Sequence, residues 1–144
     1  MLKKTEHSDL LTQGDLSELE RIREFIIVKA NTFGFSNDIA YKIALAVDEA
    51  CSNLIKHSFK FDSKKTISIS IETERNAFTV IISDYGNPFD PNNISSPNMK
   101  EYFEHFNRGG LGVHIMKSVM DEISYIPSQN NDSSNKLILR KFIN

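Results

Sequence analysis

The hydrophobic period of this chain changes near residue 66, and that change limits the folds open to it. Ile67, Ile69 and Ile71 alternate with Ser68, Ser70 and Glu72, so an extended segment has one apolar and one polar face. Glu74-Arg75-Asn76 then supplies a short turn, and Phe78, Val80 and Ile82 repeat the alternation with Thr79, Ile81 and Ser83. Residues 66–84 therefore read as a hairpin with one buried face. Such a face must be covered, and the residues before it have the pattern of a cover.

Upstream, the apolar residues follow a helical period. Asp15 or Ser17 can cap a first helix, Ser17 being followed by Glu20 in capping-box spacing, and Gly34 ends that helix as its C′ residue. Ser36 or Asn37 caps a second helix that runs to about His57, with Ile39, Ile43, Val47, Ala50 and Leu54 as its buried stripe. Residues 3–13 are polar around a Leu10-Leu11 pair and read as a marginal edge strand. Downstream, Tyr85-Gly86-Asn87-Pro88 breaks the chain after Asp84, and residues 90–108 are a polar loop around a short helical stretch. Arg108-Gly109-Gly110-Leu111-Gly112 then leads into a third helix, with Val113, Ile115, Met116, Val119 and Met120 at helical spacing. Strands near Ile123–Ile126 and Leu137–Ile143 flank the polar turn Ser128–Asn135. The expectation is an α+β two-layer sandwich, with a mixed, mostly antiparallel sheet and helices packed on one face. At 144 residues and 40% hydrophobic, the chain can bury one real core and not two, so 1–144 reads as a single domain.

Charge and composition narrow the function. A net charge of −2 gives no basic footprint, so a direct nucleic-acid partner is not expected. No stretch approaches the roughly 20 apolar residues of a membrane span, and the N-terminus lacks the apolar run of a signal peptide. A cytoplasmic protein without membrane contact is the expectation. Cys51, the one cysteine, has apolar helical neighbours and reads as a buried thiol. The four histidines do not have zinc-ligand spacing.

Three clusters can carry chemistry. Glu49 and Asn53 lie one turn apart beside the stripe of the second helix, and His57 continues their row. A carboxylate and an amide supply the hard oxygens that magnesium takes, and a carboxylate can accept a nucleophile's proton. On that helix alone, a solvated edge explains the row equally well. Asp84, at a strand end with Gly86 and Pro88 after it, can accept a hydrogen bond from an amino group, although an ordinary Asp-Gly turn has the same pattern. Gly109-Gly110-Leu111-Gly112 opens a helix, so free N–H groups and the positive helix end converge where a phosphate can approach the main chain. The sequence has neither the P-loop pattern nor the dinucleotide fingerprint.

Taken in order, E-x-x-x-N on a helix, D-x-G-x-P after a strand and G-G-x-G opening a helix resemble the Bergerat-fold, histidine-kinase-like ATPases. Within them the likeness is to the small bacterial anti-sigma-factor serine kinases. The N-box looks like Val47 to His57, and Gly109 to Met116, with Met120-Asp121-Glu122 after it, is similar to the second glycine box and its sequel. The resemblance spans about residues 15–143. It implies ATP and Mg2+ as cofactors, Glu49 as the catalytic base toward a protein hydroxyl, and Asn53 as the metal ligand within the nucleotide site. It further implies Asp84 on the adenine amine, Gly86 beside the ring, Arg108 at the terminal phosphate, and Gly109, Gly110, Leu111 and Gly112 around the phosphates. Residues 90–108 would be the nucleotide lid, and His57 would pack behind the magnesium.

The implied function is an ATP-binding anti-sigma factor that phosphorylates an anti-sigma-factor antagonist on serine or threonine in a partner-switching pathway. Its implied partners are a sigma factor, the antagonist protein and a second copy in a homodimer, with specificity on the first helix around Arg21 and on the lid. A nucleotide-dependent regulatory binding module without kinase activity is the alternative. One departure stands out. Asp132-Ser133-Ser134-Asn135-Lys136 lacks the Gly-Thr or Gly-Asn that many relatives place before the last strand, so no phosphate contact is assigned there.

Overall fold

Five strands form one sheet in the order β1-β2-β3-β5-β4, and every pairing in it is antiparallel. They are β1 (Glu6–Gln13), β2 (Thr66–Glu74), β3 (Ala77–Asp84), β4 (Glu122–Ile126) and β5 (Asn135–Phe142). Among the described residues the α-helices are α1 (Leu19–Phe33), α2 (Asn37–Asn53) and α3 (Gly112–Val119). This computed structural model describes residues 6–86, 112–129 and 134–144. The expected lid at 90–108 lies outside the described residues.

The α+β sandwich read from the sequence is the observed architecture, and the mixed sheet resolves into a fully antiparallel one. The β2–β3 hairpin pairs as its alternation requires, with Ile69 opposite Ile82 and Ile71 opposite Val80. β1 is the edge strand on one side, in register with β2 from Glu6–Thr73 to Gln13–Thr66. β5 rather than β4 lies beside β3, because the last hairpin folds back so that its second strand fills the inner position.

The helices cover one face. Ile22, Ile26, Ala30 and Phe33 of α1, Ile43, Val47 and Ala50 of α2 and Leu54 just after it are buried against Ile67, Ile69, Phe78, Val80, Leu137 and Leu139. Burial of each large aliphatic side chain contributes on the order of 1.5–3 kcal/mol before chain entropy is subtracted. Phe33, Phe35 and Phe78 meet with ring centroids 5.6–5.8 Å apart where the α1–α2 turn crosses the sheet. Gly34 makes that turn at φ 127°, a conformation that favours glycine.

Both helix caps fall within the sequence reading, and the end of the second helix departs from it. Asp15, not Ser17, provides the cap: its Oδ1 accepts from Ser17 N–H at 2.9 Å and starts a short 3-10 turn, Leu16–Glu18, before α1. Ser36 caps α2 by accepting from Ile39 N–H at 3.3 Å, but the α-helix stops at Asn53. The next five residues, Leu54–Ser58, form a π-helical turn, so the helical row through Glu49 and Asn53 does not continue regularly to His57.

Candidate functional site

Asp84 ends β3 on the face turned to the helices. Alternation puts Phe78, Val80, Ile82 and Asp84 on the same side, so a carboxylate occupies a position where the pattern calls for an apolar residue. It is only 2% exposed. A carboxylate this buried needs partners, and two are present: Oδ1 accepts from Gly86 N–H at 2.8 Å and from Asn135 Nδ2 at 3.1 Å. Among the described residues both hydrogen bonds fall on Oδ1, which leaves Oδ2 to accept from a ligand's amino group.

Asn135 organises this corner. It pairs with Asp84 across the β3–β5 ladder and is 1% exposed. Besides its bond to Asp84, its Nδ2 donates to Gly86 O at 2.8 Å, and its Oδ1 accepts from Ser128 N–H at 2.8 Å. One amide therefore ties together the end of β3, the residues after it and the turn before β5. Sequence reasoning placed Asn135 in the final polar turn and gave it no role. The signal that marks it is phase: Asn135 shares the buried alternation of Leu137 and Leu139.

Electrostatics follow from the burial. Desolvation pushes the Asp84 carboxyl above its ordinary value, against the opposing pull of Asn135, the Gly86 N–H and the positive charge of Lys65. The buried Tyr125 phenol is raised first by desolvation and then by the Asp84 charge. The Cys51 thiol is raised by desolvation, with Asp48 and Asp84 adding to it, so the last turns of α2 pass within the field of Asp84. Cys51 is free and buried, a core residue and not an exposed nucleophile.

Glu49 and Asn53 lie on those last turns and both are half-buried. Among the described residues neither side chain has a hydrogen bond or an ion pair. Asp48 next to Glu49 behaves differently, accepting from Arg23 Nη1 at 2.6 Å and joining α2 to α1. No group of three or more His, Cys, Asp or Glu side chains gathers among the described residues. A magnesium ion here would therefore rest on one or two protein oxygens, with phosphate and water completing its octahedron. The half-buried amide of Asn53 fits that requirement.

Of the glycine cluster, Gly112 is the first residue of α3, which packs against α2. Arg108, Gly109, Gly110 and Leu111 lie outside the described residues. Gly86 has a role the sequence did not announce: a Cβ there would lie 2.9 Å from Phe59 Cε1. The missing side chain makes room for Phe59.

The sequence profile of the histidine kinase-like ATPase domain matches residues 12–141. The serine-protein kinase RsbW of Bacillus cereus (strain AH820) is 26% identical over 147 residues, covering 99% of this chain and 89% of the relative. RsbW of Bacillus thuringiensis (strain Al Hakam) is 25% identical with the same coverage. RsbW of Bacillus licheniformis is 29% identical over 119 residues, covering 80% of this chain and 72% of the relative.

Proposed function

The chain belongs to the histidine kinase-like ATPase domain family, and on that premise we propose that it is an ATP-dependent serine/threonine protein kinase acting as an anti-sigma factor. The observation that carries the reading is the Asp84 corner: a buried carboxylate locked on one oxygen by Gly86 and Asn135, with the other oxygen available to an adenine amine. The serine-protein kinases to which it is similar along nearly the whole chain support the same reading.

In this reading Asp84 Oδ2 accepts from the exocyclic amine of adenine. Asn53 would hold Mg2+ through its amide oxygen, and the resemblance assigns Gly109, Gly110, Leu111 and Gly112 to the phosphates and Arg108 to the terminal one. The nucleotide supplies the phosphoryl group. Glu49 accepts the proton of a serine or threonine hydroxyl on the antagonist as that oxygen attacks the terminal phosphorus and the bond to the ADP oxygen breaks. A sigma factor, the antagonist and a second copy of the chain in a homodimer complete the proposed partners. No helix among the described residues is long and apolar enough to cross a membrane, and the proposed partners place its work in the cytoplasm.

The test is incubation of the purified chain with ATP, Mg2+ and the small proteins that co-purify with it. Labelled phosphate on a serine or threonine of one of them is the expected result. Tight ATP binding without transfer to any of them would make the chain a nucleotide-dependent binding module, and undetectable ATP binding would end both readings.

A further inference from the structure

The ring of Phe59 fills the gap between two glycines that are distant in sequence. A Cβ at Gly14 would lie 2.5 Å from Cδ2 and 2.7 Å from Cε2, and a Cβ at Gly86 would lie 2.9 Å from Cε1 and 3.0 Å from Cδ1. Those are the two opposite edges of one ring, so glycine backbone abuts it on both sides. Contacts under 3.0 Å are ones that real Cβ atoms do not make, and Phe59 is 4% exposed, with little room to swing away.

Each neighbour of the ring is anchored. Gly14 follows β1 and donates its N–H to Lys65 O at 2.7 Å. Gly86 belongs to the hydrogen-bonded unit of Asp84 and Asn135. Phe59 N–H donates to Leu54 O at 2.8 Å, closing the π turn that begins directly after Asn53. The chain then leaves through Lys60 at φ 50° and Phe61 at φ 65°, two side-chain-bearing residues in the left-handed region that the surrounding packing must hold. The ring thus touches the unit containing Asp84 while its backbone continues from the end of α2 that presents Asn53.

We propose that Phe59 is a positioning residue for nucleotide binding: its ring is the spacer that sets the Asp84–Gly86–Asn135 unit at a fixed distance from Asn53. The inference rests on reading Asp84 as the base acceptor and Asn53 as the holder of the metal-bound phosphates. One nucleotide must satisfy both subsites at once, and such constellations tolerate misplacement of only about 0.5 Å. The Asp84 unit is bonded internally, so a shifted ring moves it as a body. Recognition of the base then survives while the spacing to the phosphate subsite is lost.

The experiment compares the intact chain with Gly14→Ala, Phe59→Leu and the double variant, titrating each with ATP plus Mg2+ and with adenosine alone. Urea unfolding confirms that each variant is folded. Gly14→Ala drives a methyl into the ring without touching any proposed ligand contact. Each single variant is expected to weaken ATP binding about tenfold, the 1.4 kcal/mol of one decade, while adenosine binding changes less than threefold. With the ring removed, Gly14→Ala should have no further effect, so the double variant should bind ATP as Phe59→Leu does. Unchanged ATP affinity in a folded Gly14→Ala, equal losses for ATP and adenosine, or additive losses in the double variant would each overturn the proposal. If Gly14→Ala does not fold, the ATP-to-adenosine comparison in Phe59→Leu decides alone. If the intact chain binds neither ligand, it is the nucleotide reading of the site that fails.

Discussion

Replacing Asp84 by asparagine changes one atom of the site and should move stability and binding in opposite directions. The amide oxygen of Asp84→Asn can keep the two hydrogen bonds that Oδ1 now accepts from Gly86 and Asn135. What changes is the other position, where an NH2 group would replace the available oxygen and, in the proposed function, set a donor against the adenine amine, also a donor. Loss of a hydrogen bond to a charged group costs about 1.5–3 kcal/mol, which corresponds to roughly a 10- to 100-fold weaker ATP affinity. Stability follows the carboxyl's titration. Burial raises the folded-state value of Asp84 above the ordinary 3.8. Its contribution is therefore fully present below pH 3.8 and is lost as pH rises through the raised folded value, because ionisation is harder in the folded chain. The variant has no such loss, so its urea midpoint relative to the parent should rise between pH 4 and pH 7. Calorimetric titration with ATP measures the first effect and denaturant unfolding across that pH range measures the second. ATP affinity unchanged within twofold would refute the assignment of Oδ2 to the base, and a relative midpoint that falls with pH would refute the account of Asp84 as a carboxylate held against its desolvation.

Three further outcomes test parts of the site and the core behind it. Glu49→Gln should leave ATP affinity within about threefold of the parent while phosphoryl transfer to the antagonist falls by roughly 100- to 10,000-fold, the usual contribution of a general base; equal losses of binding and transfer would remove Glu49 from that role. Asn135→Leu strips hydrogen bonds from Asp84, Gly86 O and Ser128 N–H, and should lower unfolding stability by about 2–4 kcal/mol in urea. That loss should be larger at pH 7.5 than at pH 4.5, since Asn135 opposes the rise in the Asp84 carboxyl's value. Cys51, fully buried with its thiol pushed upward, should react with an aromatic disulfide reagent only as fast as the domain opens, and its rate should rise steeply with urea; prompt reaction in native buffer would contradict its place in the core.

Local pattern was enough for much of this protein. The alternation of Ile67, Ile69 and Ile71 against Phe78, Val80 and Ile82 dictated the hairpin, because a period of two puts one side of each strand in the core. The stripe Ile43, Val47, Ala50 and Leu54 dictated which face of α2 is buried, and Gly34 and Ser36 marked the break between the first two helices. Glu49, Asn53 and Asp84 stood out for the same reason, as polar chemistry beside or within apolar periods.

Other features depend on residues far apart in the chain. β5 is placed next to β3 by long-range pairing, and only that pairing sets Asn135 opposite Asp84. The widening of the helix after Asn53 is a change in hydrogen-bond partner, with Phe59 N–H reaching back five residues to Leu54 O, and side-chain periodicity does not record it. Gly14 and Gly86 are 72 positions apart by number, and nothing local says that one phenyl ring needs both to lack a side chain. Sequence by itself determined the hairpin, the two long helices and their buried faces, and it singled out Glu49, Asn53 and Asp84 as candidates, since each of these follows from residues within a few positions of one another. Only the tertiary structure decided how Asp84 is locked and which ring lies between Gly14 and Gly86, since those depend on contacts between chain segments that meet only in the folded state.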